Sequence, residues 1–317
     1  MLCVSVSKGN GMRPCVALLS VVPLILVITL SSCRRSENPS TAATQRVFAS
    51  PADAGAALLE AAKSGDAAAM QAIFGPEAES VVFSGDAVKD KNNREDFVAA
   101  YNQMHRWREI TVGGQILYLG ADNYPFPIPL GKNASSQWSF DTAAGKDEIL
   151  ARRIGKDELT AIVASAALAE AQERYFSKQK QYAQKFISDE GKQNGLYWPV
   201  AADQAPSPLE DLRDFAKVVG YTNAGDKAQA FGGYYFKILT RQGATAKGGA
   251  KDFIVNGKLT GGFAVLAYPA EYRNSGIMTF ITGKNGVIYQ KDLGEKTVEM
   301  AATVIEYDPD DGWKPAL

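Results

Sequence analysis

The sequence predicts an α+β fold: N-terminal helices plus an antiparallel meander, then a long helix packed on a second antiparallel sheet. Three observations carry this reading. Apolar residues recur at helical spacing over residues 51–74 and again from Asp157 to about Lys180. After Trp107, and again after Gly233, short strand-like runs take over. Asn285-Gly286 is a strong hairpin turn between two such runs. Helices followed by a strand meander suggest α+β packing.

The elements follow in order. Ser50-Pro51-Ala52-Asp53 reads as a helix start, with Ser as N-cap, Pro at the first helical position and an acid at the third. Ala54, Ala57, Leu58 and Ala61 then share one face. Gly65-Asp66 restarts a short helix carrying Met70, Ile73 and Phe74, and Gly75-Pro76 stops it. A third helix follows Asp90, with Phe97, Tyr101, Met104 and His105 on one side. Ile110 and Val112 lead through Gly113-Gly114 into Ile116–Leu119, and Phe126–Leu130 and Gln137–Phe140 are further strand candidates.

Asp141-Thr142 opens the central helical segment. Gly145-Lys146-Asp147-Glu148 and Gly155-Lys156-Asp157-Glu158 read as two successive helix starts, with acids near the positive helix ends. From Asp157 the expected apolar face is Leu159, Ile162, Val163, Ala166 and Ala169. A short helix is expected from about Pro208 to Val219. Strands are expected at Tyr234–Arg241, Asp252–Val255, Gly262–Tyr268, Ile277–Ile281 and Val287–Lys291, and a last helix from Lys296 to Glu306.

The N-terminal stretch has the anatomy of an export signal. Arg13 supplies the positive charge, Val16–Leu30 the apolar middle, and Ser31-Ser32 the small residues at the cut. Met1 and Met12 are both compatible starts. The apolar run is 15 residues, short of the roughly 20 that span a bilayer. Leu30-Ser31-Ser32-Cys33 looks like a bacterial lipoprotein signal, which makes Cys33 the lipidated first residue of the processed protein. Arg34 follows where lipoproteins kept at the inner membrane often carry Asp, so the outer membrane is the expected destination. The domain reading is therefore a signal peptide at 1–32, a flexible tether at 33–47, an N-terminal α+β module at 48–141 and a C-terminal helix-plus-sheet module at 142–317.

Composition bounds the function. The cysteines are Cys3, Cys15 and Cys33, so the processed body has neither a disulfide nor a thiol nucleophile. Loss of Lys8 and Arg13 with residues 1–32 takes the formal charge from −1 to −3. That charge excludes the electrostatic footprint of a nucleic-acid binder.

Several motifs together resemble a known family. They are Phe126-Pro127-Ile128-Pro129-Leu130, the stretch from Phe140 to Leu159, Leu196-Tyr197-Trp198-Pro199, Gly233-Tyr234-Tyr235-Phe236, Ala267–Tyr272 and Tyr289–Gly294. The chain resembles, from about Phe48 to Trp313, a bacterial family of exported proteins known as domain of unknown function 2950. The resemblance implies export and carries no catalytic residues. A long helix carrying Gln172, Tyr175 and Tyr182, followed by an antiparallel sheet with Gly233-Tyr234-Tyr235-Phe236 and Thr279-Phe280-Ile281, is also similar to the headpiece of pilins and pseudopilins. It departs from them in having a whole module ahead of the helix.

No catalytic constellation is legible. His105 is the single histidine, which rules out a two-histidine zinc site within the chain and reads as a partly buried helix cap. Ser177-Lys178-Gln179-Lys180 fits an S-x-x-K pattern without its partner motifs and reads as a solvated surface. Asp308-Pro309-Asp310-Asp311-Gly312 resembles half a calcium loop but lacks the distal Glu. The proline-alternating stretch Tyr124–Pro129 reads as a stiff edge segment over the core. The candidate ligand-binding residues are Tyr197, Trp198 and Tyr272 in an aromatic-rich second module.

The expectation is a lipid-anchored, periplasm-facing binding or envelope-assembly component. Its expected partners are the membrane, through an N-terminal lipid, and a protein of the cell envelope. No nucleic acid, cofactor or metal is expected. The alternatives are a carboxylate-dependent envelope hydrolase, which needs two carboxylates in one cleft, and a pseudopilin-like structural component.

Overall fold

A computed structural model describes residues 45–83, 87–111, 113–200, 205–212, 215 and 230–316. The signal segment and Cys33 lie outside the described residues. The chain from Ala42 onward clusters as one compact unit.

Helix α1 (Pro51–Ser64) begins as its cap chemistry requires. The Ser50 Oγ accepts from the Asp53 N–H at 3.1 Å, and Gly65 ends the helix in the left-handed region at φ 67°. Asp66 then caps α2 (Ala67–Phe74) by accepting from the Ala68 and Ala69 N–H groups. A 3-10 turn at Gly75–Glu77 leads into α3 (Ala78–Val82), and α4 (Ala87–Gln103) follows.

The chain turns to strand at His105 rather than after Trp107. Strand β1 (His105–Thr111) already contains His105, and both His105 and Met104 are exposed. The expected apolar helix face therefore stops at Tyr101. His105 keeps a capping function, with Nδ1 at 3.0 Å from the Tyr101 carbonyl and its ring stacked on Tyr101. β1 pairs antiparallel with β2 (Gly114–Leu119) around the expected turn, with an irregularity between Glu109 and Thr111.

β3 (Tyr124–Pro125), β4 (Leu130–Lys132) and β5 (Trp138–Phe140) complete this sheet in the order β1-β2-β4-β5, with β3 against β2. The expected strand at Phe126–Leu130 is broken into pieces. Pro125, Pro127 and Pro129 have no N–H to give to a ladder. The segment instead drops Ile128 and Leu130 into a core of Phe48, Leu58, Ile73, Phe74 and Phe140, as a stiff cover.

Helix α5 (Thr142–Gln179) is a single helix of 38 residues, about 57 Å long. Asp141 caps it through the Ala144 N–H. The second helix start expected at Gly155 is absent: α5 runs straight through it. The echoing acids serve different partners, since Glu148 pairs with Arg152 while Glu158 Oε1 accepts from the Ile277 and Met278 N–H groups. Gly145 allows α5 to lie against the proline segment, because a Cβ there would stand 2.6 Å from Ile128.

The expected apolar face of α5 is displaced. The buried stripe runs through Ala161, Ala164, Leu168, Ala171 and Tyr175, while Leu159 and Val163 are 57% and 63% exposed. Small residues face the sheet, where they let the helix approach closely. Leu168 and Tyr175 are the large side chains of the stripe, Ala169 of the expected face is buried with them, and Leu159 and Val163 stand outside.

After α5 ends at the left-handed Lys180, the chain returns along it. Gln172, fully buried, binds both backbone groups of Ala183: its Nε2 donates to the carbonyl at 2.9 Å and its Oε1 accepts from the N–H at 2.8 Å. Of the helix expected from Pro208, a 3-10 turn at Glu210–Leu212 is described, and most of the remainder falls outside the described residues.

The C-terminal strands are β6 (Tyr234–Leu239), β7 (Arg241–Gln242), β8 (Lys251–Asp252), β9 (Ile254–Val255), β10 (Lys258–Leu259), β11 (Ala264–Pro269), β12 (Met278–Gly283) and β13 (Ile288–Asp292). Helix α6 (Thr297–Thr303), β14 (Glu306–Tyr307) and β15 (Lys314–Pro315) follow. The main sheet is antiparallel in the order β15-β13-β12-β11-β6. Its central strands read as continuous buried runs from Ala264 to Ala267 and from Thr279 to Gly283, the pattern of a sheet covered on both faces. Both α5 and α6 pack on it. β7 joins β14 in parallel and β8 in antiparallel pairing, a small second sheet beside the first. No helix among the described residues is long and apolar enough to cross a membrane.

Candidate functional site

The residues singled out from sequence fall in different places. Trp198 is 8% exposed inside the larger core, where its indole N–H has no hydrogen-bond partner among the described residues. Tyr197 is half-buried against the same core and exchanges backbone bonds with Phe186 and Ser188. Tyr272 lies in the loop between β11 and β12, where its hydroxyl donates to Asp292 Oδ2 at 3.1 Å and Arg273 stacks on its ring. The structure brings Tyr197 and Trp198 into one core and places Tyr272 outside it.

The other motifs resolve into local roles. The Ser177 hydroxyl donates to the Arg174 carbonyl, and the Lys180 ammonium donates to the Ser177 carbonyl, so both groups finish the end of α5. Asp310 accepts from the Gly312 N–H, which holds its carboxyl below the usual range, with Lys291 adding to the effect. Among the described residues, no group of three His, Cys, Asp or Glu side chains is placed to hold a metal ion.

A cleft of about 480 Å³ opens where the small sheet meets the main one. Its wall is the loop from Gln242 to Lys247, together with Lys251 and Phe253. Gly261, Gly262 and the turn from Gly283 to Asn285 form another side, and Tyr289 and Tyr307 contribute rings. The volume lies within the range of small-molecule sites, about 300–1,000 Å³.

Its electrostatics are one-sided. Lys247, Lys251 and Lys284 line it, and among the described residues no Asp or Glu does. None of the three ammonium groups makes an ion pair among the described residues. Two rest on aromatic faces instead: Lys251 lies 5.5 Å from the Phe253 centroid, and Lys284 lies 6.0 Å from those of Phe176 and Tyr182. Burial pushes the Tyr307 phenol above its ordinary range.

One carboxylate builds the wall without lining the cavity. Asp308 Oδ1 accepts from the Thr245 N–H at 2.9 Å, the Thr245 hydroxyl at 2.5 Å and the Ala246 N–H at 3.0 Å. The approach needs glycine at 243, because a Cβ there would overlap the Asp308 carboxyl. Gln242 ties the other end of the loop by donating to the Lys247 and Gly249 carbonyls at 3.1 and 2.8 Å. Asp308 thus belongs to the stretch that resembled a calcium loop, and its oxygen is committed to backbone.

Lys247 and Lys251 lie four residues apart, whereas Lys284 comes from a distant turn, so no sequence spacing marked the three together. The paired glycines 261–262, which line the cleft, and 248–249 beside it are the signal the sequence offers.

The family described as "Protein of unknown function (DUF2950)" matches residues 45–316. The chain belongs to this family. The DUF2950 match spans both cores and the whole cleft, and it begins beyond Cys33. No curated protein and no solved structure matches this DUF2950 chain.

Proposed function

We propose that this DUF2950 chain is an exported, lipid-anchored binding component of the cell envelope. Its anchor is Cys33, and its ligand site is the cleft walled by the Gln242–Lys247 loop. The observation that carries the binding reading is the cleft itself, a preformed cavity with an aromatic wall, three lysines and no carboxylate among its lining residues. A carboxylate-pair hydrolase would need two acids in such a cavity.

The anchor reading rests on the apolar run Val16–Leu30 followed by Ser31-Ser32-Cys33. Arg34 favours the outer membrane over the inner. The test is labelling with an alkyne fatty acid in cells expressing the full chain, followed by membrane separation on a density gradient. The native chain is expected to take up label and sediment with membranes. Cys33→Ala is expected to lose the label. Undiminished label in Cys33→Ala, or an unlabelled native chain, would refute the anchor.

A further inference from the structure

We infer that the cleft takes a small anionic ligand with a ring body, a carboxylated or phosphorylated sugar being the type. This inference rests on the reading of the cleft as a binding site. Three observations point to the ligand class.

The first is charge. The chain as a whole carries −1, yet three lysines converge on one cavity with no acid among its lining residues. Lysines that merely solvate a surface usually have acids interleaved. Lysines with no ion-pair partner among the described residues, beside a carboxylate already bound to Thr245 and Ala246, leave a net positive field in a partly enclosed space, where it is screened less than on an open surface.

The second is the apolar wall. Phe253 and Tyr307 are buried behind the cavity, and Tyr289 is half-exposed at its side. Phe253 and Tyr307 back the cavity without an open face, and the exposed part of the Tyr289 ring suits the C–H face of a sugar or the plane of another ring. A bare inorganic anion leaves that wall unused.

The third is preorganisation. Asp308 and Gln242 hold the 243–249 loop through five hydrogen bonds that involve no ligand. A wall held in place before the ligand arrives reduces the ordering that binding must impose.

The experiment is calorimetric titration of the full chain in detergent micelles with glucuronate, glucose 6-phosphate and glucose. At least one of the two anions is expected to bind saturably, with glucose at least about tenfold weaker. Which anion binds more tightly separates a carboxylate ligand from a phosphate one. Raising salt from about 0.05 to 0.5 M is expected to weaken the anion, as charge pairing requires. Lys247→Gln, Lys251→Gln and Lys284→Gln are each expected to weaken it by about tenfold. All three lysines are exposed, so the variants are expected to melt like the native chain.

Glucose binding as tightly as both anions would overturn the charge argument and leave the cleft as a site. Unchanged anion binding in the triple variant would do the same. Failure of all three probes would overturn the inference together with the binding reading.

Discussion

Gln172 offers the sharpest test of how the C-terminal core is held. Its side chain is fully buried and satisfies both backbone groups of Ala183, itself 1% exposed. Gln172→Leu keeps much of the volume and removes both partners. An unpaired buried group costs about 1–3 kcal/mol, so two cost roughly 4 kcal/mol. At roughly 2 °C per kcal/mol for a body of this size, the melting midpoint is expected to fall by about 8 °C. Gln172→Glu gives a pH readout. An ionised carboxylate accepts from the Ala183 N–H but has nothing to donate to the carbonyl, whereas a protonated carboxyl does both. Burial raises the folded pKa of the introduced group above its unfolded value of about 4.3. The folded state then binds the proton more tightly, so this variant is destabilised as pH rises through the folded pKa and recovers as pH falls. The assay is urea unfolding of both variants beside the native chain at pH 5 and pH 8. A Leu variant within about 1 kcal/mol of native, or a Glu variant with the same deficit at both pH values, would refute the reasoning.

Two further outcomes follow from other groups. Burial holds the Tyr182 and Tyr234 phenols well above their ordinary range, so they stay neutral when folded and ionise near pH 10 when unfolded. Their contribution to stability is intact below about pH 10 and is lost as pH rises beyond it; urea midpoints between pH 8 and 11.5 should show the fall, and Tyr234→Phe should flatten it. In the cleft wall, Asp308→Ala frees the Thr245 and Ala246 N–H groups, and Gly243→Ala displaces the same carboxyl. Both are expected to speed amide exchange at residues 245 and 246 by about tenfold or more, read by mass spectrometry, while exchange in β11 stays slow.

Local chemistry was legible in the sequence and tertiary placement was not. Ser50, Asp66 and Asp141 cap the helices they were expected to cap. Asn285-Gly286 turns between β12 and β13, with Gly286 at φ 71°. Such features depend on residues a few positions apart. The face of α5 depends on what packs against it, and the sheet selects the alanine stripe over Leu159 and Val163. The stretch from Gly155 to Glu158 reads as a helix start because acids suit a positive helix end, and a glycine inside a continuous helix costs about 1 kcal/mol. In a helix anchored by packing at both ends, that cost does not break the chain. The cleft was invisible for a similar reason: Lys284 joins Lys247 and Lys251 only when the small sheet folds beside the main one.

The long helix has a mechanical consequence. Its base is gripped by the N-terminal core, where the Thr142 hydroxyl donates to the Phe74 carbonyl at 2.7 Å. The strand just ahead of that base, at Trp138, exchanges two hydrogen bonds with Phe48, and Gln45 donates to the Ile73 and Phe140 carbonyls. A pull on the chain ahead of Gln45 therefore arrives within a few residues of the helix base. A rigid rod of about 57 Å converts each degree of tilt at its base into about 1 Å of travel at its far end. The far end, beyond Leu168, is embedded in the core that carries the cleft wall. Tension on the N-terminal side thus reaches the cleft-bearing half along one helix, which Glu158 and the stripe from Ala161 to Tyr175 tie to the main sheet.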